Sequence, residues 1–153
     1  MEQDQNYRLE LISKYRSQSE SLFRYISYFK QKKGLRDLQF YNGESLEKTS
    51  VPVPVYDGTL LSFVKEVQRT GLVSRNWVYS YSRYGVKTAE DEHWWIGEAD
   101  LKDIELLYAI LGKYVLGGMT KGSMWLDATE SGIFLEVLER LLVVLEVHKG
   151  PLA

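Results

Sequence analysis

The sequence predicts a small, mainly α domain of three to five helices, with a short β-hairpin in the middle as the one β element it allows. Three observations carry this reading. Apolar residues recur at helical spacing in four separate stretches. Glycines and short polar side chains sit where those stretches begin and end. Only one segment, near the middle, alternates large and small side chains as a half-buried strand would. The 153 residues fit a single domain spanning 1–153. A basic N-terminal helix or helix pair (1–36) precedes the remainder.

The first helix is expected over Asn6 to Lys33. Tyr7, Leu11, Tyr15, Leu22, Ile26 and Phe29 share one face. Ser17 to Ser21 is polar enough to split it in two, and Gly34 is a C-terminal stop with Lys30, Lys32 and Lys33 in the last turn. Residues 41–58 read mostly as loop. Val51-Pro52-Val53-Pro54-Val55 must be extended, because each proline fixes its own φ and biases the residue before it away from helix. Asp57 or Thr59 opens a helix to about Thr70, with Leu60, Val64 and Val67 inward and Gly71 as its stop. Trp77 to Tyr84 is the alternating segment, read as a half-buried strand or as an irregular aromatic stretch. Thr88 to Glu92 is an acidic turn, and His93 to Ile96 a second short strand. Asp100 caps the next helix, which runs through Leu107, Leu111 and Tyr114 to Gly117-Gly118. Ser123 caps the last segment. Its stripe of Ile133, Val137, Leu138, Leu141, Leu142 and Leu145 predicts the most buried helix. Trp125 is expected in the core.

Composition narrows the function. There is no cysteine, so disulfides, thiolate nucleophiles and Cys-ligated metals are excluded. The first five residues are polar and acidic, unlike a secretory leader. No apolar run approaches the length of a membrane span. A cytoplasmic protein with no membrane partner is the expectation. The net charge of −2 is not that of a strongly electrostatic DNA binder. It is unevenly placed: residues 1–40 hold 8 basic and 5 acidic side chains, residues 41–99 hold 6 and 8, and residues 100–153 hold 5 and 8.

No catalytic constellation appears, so no enzymatic activity and no cofactor are expected. Asp57, Asp100, Asp127 and Glu130 are the candidate acid–base groups, of which Asp57 and Asp100 read as helix caps and Glu130 as a surface carboxylate. Lys121 is out of phosphate-loop spacing with the glycines at 112, 117, 118 and 122. Asp91, Glu92 and His93 are adjacent, and neighbours rarely converge on one ion, so no metal site is expected.

The aromatic content is the unusual feature: 11 Tyr, 4 Trp and 5 Phe. Tyr and Trp combine a large apolar body with a polar tip and are enriched at interfaces. The candidate binding residues are therefore Arg75, Trp77, Tyr79, Tyr81, Arg83, Tyr84, Trp94 and Trp95. The leading expectation is a protein-binding module, with self-association also compatible with the charge split. Small size without a catalytic motif is also what a mobile-element or phage protein would show. The alternative is single-stranded nucleic-acid binding, with the basic helix on phosphates and the aromatics stacking bases.

One resemblance adds to this. Val55-Tyr56-Asp57, Phe63, Val64, Val67 and Leu72 resemble the start of a bacterial family, number 6508 of the domains of unknown function. So do Ala99-Asp100-Leu101, Ala109-Ile110-Leu111, Tyr114-Val115, Trp125, Glu130, Gly132 to Leu135 and Leu138 to Leu141. The likeness covers about residues 52–142, with 52–147 as a family-like core. It implies a small α-rich domain and no particular activity. The chain departs from that pattern where the family has R-x-x-R-F: the matching positions are Leu116, Gly117, Gly118, Met119 and Thr120.

Overall fold

The computed structural model describes residues 2–34, 38–40, 52–54, 58–73, 76–121 and 123–147. The fold is mainly α, with more helices than the three to five expected. In chain order these are α1 (Glu2–Ser19), a 3-10 segment (Glu20–Tyr25), α2 (Ile26–Lys32), α3 (Gly58–Thr70), α4 (Trp77–Tyr84), α5 (Ala89–Glu98), α6 (Ile104–Gly117), α7 (Ser123–Glu130) and α8 (Ile133–Val144). A 3-10 turn, Leu101–Asp103, leads into α6.

Where local signals are strong the chain follows them. The polar stretch near Ser19 does interrupt the first helix, as a 3-10 segment. Gly34 and Gly71 take positive φ, the left-handed conformation that costs glycine least and suits a helix end. Asp100 and Asp103 form a capping box in which each carboxylate accepts from backbone N–H groups at the other end. A second break was not anticipated. Gly132, at φ 87°, divides the last segment into α7 and α8. The left-handed turn favours glycine there, and a Cβ would only push aside the end of the flexible Lys33 side chain, 2.9 Å away.

The hairpin expected between Trp77 and Ile96 is absent: both proposed strands are helices. The acidic turn Thr88 to Glu92 is instead the start of α5. Thr88 accepts from the Asp91 N–H, and the Asp91 carboxylate accepts from the Thr88 N–H in return. Three acidic side chains in the first turn favour that helix N-terminus. A three-residue antiparallel pairing lies elsewhere, Leu38–Phe40 against Pro52–Pro54, consistent with the extended backbone the prolines impose.

The centre is built on α6 and α8, packed by α2, α3, α5 and α7. Phe29, Phe63 and Phe134 meet there with ring centroids 4.7–5.4 Å apart. Leu107, Ile110, Leu111, Val137, Leu138 and Leu141 are fully buried around them. Trp125 is buried, and its Nε1 donates to the Val115 carbonyl at 2.9 Å. That indole lies so close to the end of α6 that a Cβ on Gly118 would sit 2.0 Å from Nε1.

The N-terminal helix docks its cations onto the acidic C-terminal part of the chain. Arg8 makes two hydrogen bonds to the Glu146 carboxylate, at 3.2 and 3.3 Å. Arg16 donates to the Val147 carbonyl at 3.0 Å, and Lys30 lies 4.0 Å from Glu139. The uneven charge along the sequence is thus partly met inside the molecule. No helix among the described residues is long and apolar enough to cross a membrane.

Candidate functional site

Helix α4 packs chiefly on α6. Its spacing decides which aromatics remain available. Residues 77, 81 and 84 are one helical face, and all three turn toward the core. Tyr81 is only 8% exposed. Tyr84 and Trp95 pack edge to face at 5.0 Å against the core. On the other faces Tyr79 is 71% exposed and Arg83 is exposed, as is Trp94 at 58% on α5. A strand would have placed residues 77, 79 and 81 together; the helix separates Tyr79 from Tyr81. Arg75 lies outside the described residues. The seven nominated residues that are described therefore form no single exposed surface: Tyr81 is buried, Trp77, Tyr84 and Trp95 are half-buried, and Tyr79, Arg83 and Trp94 are exposed.

Tyr81 belongs to a polar cluster beneath α4. Glu92, 1% exposed, accepts from the Tyr81 and Tyr114 hydroxyls at 2.5 Å each and from Lys113 Nζ at 2.9 Å. Lys113 also lies over both rings, 5.2 and 5.0 Å from their centroids. A buried carboxylate is tolerated only when its lone pairs are met and a cation is near, and Glu92 has both. Burial, then the hydrogen bond to Glu92, pushes the Tyr81 and Tyr114 phenols well above the ordinary tyrosine range. These groups have no proton to give near neutral pH. The cluster fastens α4, α5 and α6 together. Sequence reasoning missed it because Glu92 read as one more acid in a solvated turn.

The exposed side of α4 borders a cleft of about 380 Å³ between α1, the α3–α4 connection and α6. Trp77 and Tyr79 line it from α4, Lys14 and Tyr15 from α1, Leu72 from the connection, and Glu105 and Tyr108 from α6. It thus joins two features read separately in the sequence, the basic helix and the aromatic segment. Tyr15 and Tyr108 sit 5.6 Å apart, and the Tyr108 hydroxyl is tied to Ser19 Oγ at 2.7 Å. Burial, and then the nearby Glu105 carboxylate, holds the Tyr15 phenol above its ordinary range, so it stays neutral. Tyr15, Glu105 and Tyr108 at this cleft are not among the binding residues that the sequence nominates. Tyr15 was read as core, and nothing in its spacing distinguishes a core face from a cleft wall.

Of the remaining candidates, His93, Asp100 and Asp103 have structural partners. His93 Nδ1 lies 2.8 Å from Glu136. Asp100 caps the turn before α6, and Asp103 accepts from the Tyr84 hydroxyl at 3.0 Å. Asp57 lies outside the described residues. No group of three metal-binding side chains occurs among the described residues. The positions matching the R-x-x-R-F stretch end α6: Leu116 is half-buried, and exposed Met119 accepts from Gln68 Nε2 at 3.3 Å.

No family model matches the chain, and neither the curated proteins nor the solved structures contain a match to it.

Proposed function

We propose that this chain is a protein-binding module that receives a segment of its partner in the cleft between α1 and α4. The observation that carries this reading is the cleft's lining: Tyr15, Leu72, Trp77, Tyr79 and Tyr108, with Tyr79 largely in solvent. Aromatic side chains clustered at a concave surface are what an interface anchor site requires, because they bury much area at little rotamer cost. The reading is one of binding rather than catalysis. Asp100, Asp103 and Glu92 are engaged as caps or in a buried cluster.

The nucleic-acid alternative is the weaker one. It needs the basic helix to face phosphates. Arg8, Arg16 and Lys30 instead face Glu146, the Val147 carbonyl and Glu139, and the cleft that Lys14 lines is also lined by the carboxylate of Glu105.

The test is affinity capture of the tagged full chain from its native host lysate, with and without nuclease, beside a Tyr79→Ala variant. A stoichiometric protein that survives nuclease and is lost with Tyr79→Ala is the expected result. A partner that disappears with nuclease overturns the reading in favour of nucleic acid.

A further inference from the structure

The cleft carries two charges of its own. Glu105 is exposed at the start of α6 and makes no ion pair or hydrogen bond among the described residues. Lys14 has no carboxylate partner among them either; its ammonium lies over the Tyr15 ring, 5.5 Å from the centroid. An aromatic face is electronegative, so it attracts a cation, the more strongly as water is excluded. The cleft therefore already uses one of its rings in this way. Besides Tyr15, the same cleft is lined by Trp77, Tyr79 and Tyr108.

Aromatic side chains around a carboxylate are the composition of a site for an organic cation. An anion would meet Glu105 and the negative ring faces. A purely apolar guest would strand Glu105 and the polar side chains of Gln18 and Ser80, which also line the cleft, away from water. A lysine ammonium matches both the rings and the carboxylate. The resident cation is itself a lysine, so an incoming lysine can replace it on Tyr15 like for like.

We infer that the cleft receives a lysine side chain of the partner protein, with Glu105 as its counter-ion and Lys14 as the resident cation it displaces. This rests on the protein-binding reading and goes further by naming the chemistry of the anchor. It predicts opposite signs for the two charged residues, which a merely sticky aromatic cleft would not show.

The experiment titrates the full chain with acetyl-Gly-Lys-Gly-amide and with the same peptide carrying norleucine or glutamate in place of lysine. The readout is the Trp77 indole N–H resonance, identified by its loss in Trp77→Phe. The lysine peptide should shift that resonance saturably and bind about threefold or more tightly than the norleucine peptide, the scale of a partly exposed cation–π contact. Glu105→Gln should remove most of that preference, and Lys14→Met should tighten the lysine peptide. Both substitutions are at exposed side chains, and an unchanged melting temperature checks that neither disturbs the fold. Equal affinity for lysine and norleucine, preference for glutamate, or no saturable shift overturns the assignment. If a Tyr79-dependent protein partner is captured while the lysine preference is missing, the protein-binding reading stands and only this assignment fails. If no Tyr79-dependent protein partner is captured, the reading beneath it falls as well.

Discussion

Helices α6 and α8 pack on each other, bring Phe134 within 6.4 Å of Tyr114, and bury Leu107, Ile110, Leu111, Leu138 and Leu141 completely. Helices α4 and α5 are held to the same α6 partly by other means: Glu92 gathers Tyr81, Tyr114 and Lys113 under the aromatic helix. The two regions share α6 but differ in what their contacts demand. Apolar packing tolerates volume-conserving apolar swaps and is nearly indifferent to pH. A buried carboxylate fixes geometry and protonation state together, since each unmet partner costs its full desolvation. Annexing α4 through such a cluster leaves its outer face free of packing duties, and that face supplies the cleft with Tyr79.

The largest effect belongs to the apolar side. Trp125→Ala removes a buried indole and the hydrogen bond to the Val115 carbonyl, and should cost about 3–5 kcal/mol. Urea unfolding at neutral pH measures it; a wild-type midpoint would mean that the indole is not where Gly118 makes room for it.

Next comes the cluster. Glu92→Gln keeps the volume but offers an amide to donors that need a carboxylate, and should cost about 2–3 kcal/mol. Its signature is the pH dependence. Tyr81, Tyr108 and Tyr114 are all held above the ordinary value of 10.0, first by burial. A phenol whose folded pKa is raised contributes stability that is fully present below pH 10 and is lost as pH rises beyond it, because only the unfolded chain releases the proton there. Unfolding midpoints measured from pH 8 to 11 should therefore fall above pH 10. Tyr114→Phe, which removes one of these phenols, should make that fall shallower. A midpoint flat to pH 11 would break the distinction between the two regions.

How much of this was legible depended on the length of each pattern. Helix α6 spans fourteen residues, enough for Ile104, Leu107, Leu111 and Tyr114 to declare a period near 3.6. Helix α4 has eight residues, and within Trp77 to Tyr84 the large side chains at 77, 79 and 81 fit a period of two while those at 77, 81 and 84 fit one of 3.6. The capping box that starts α5 was readable in Thr88 and Asp91, but its acids were taken as a turn. The cleft was half visible. Trp77 and Tyr79 were nominated, whereas Glu105 and Tyr108 come from a helix whose pattern speaks only of core. Cleft walls are made where elements meet, and no spacing within one element records that.

The smallest expected effect is the sharpest test of the aromatic helix. Tyr79 points to solvent, so Tyr79→Ala should change stability by no more than about 0.5 kcal/mol. Tyr81→Phe, a far milder change chemically, removes a hydroxyl that donates into Glu92 and should cost about 1–2 kcal/mol. The order is the informative part. On a strand, residues 79 and 81 share a face, and truncating the whole of Tyr79 would outweigh deleting one oxygen from Tyr81. On a helix they are about 200° apart, and the single oxygen matters more. Midpoints from one urea series on both variants decide it, and the same Tyr79→Ala protein, folded and stable, is the one whose loss of partner would then report on binding alone.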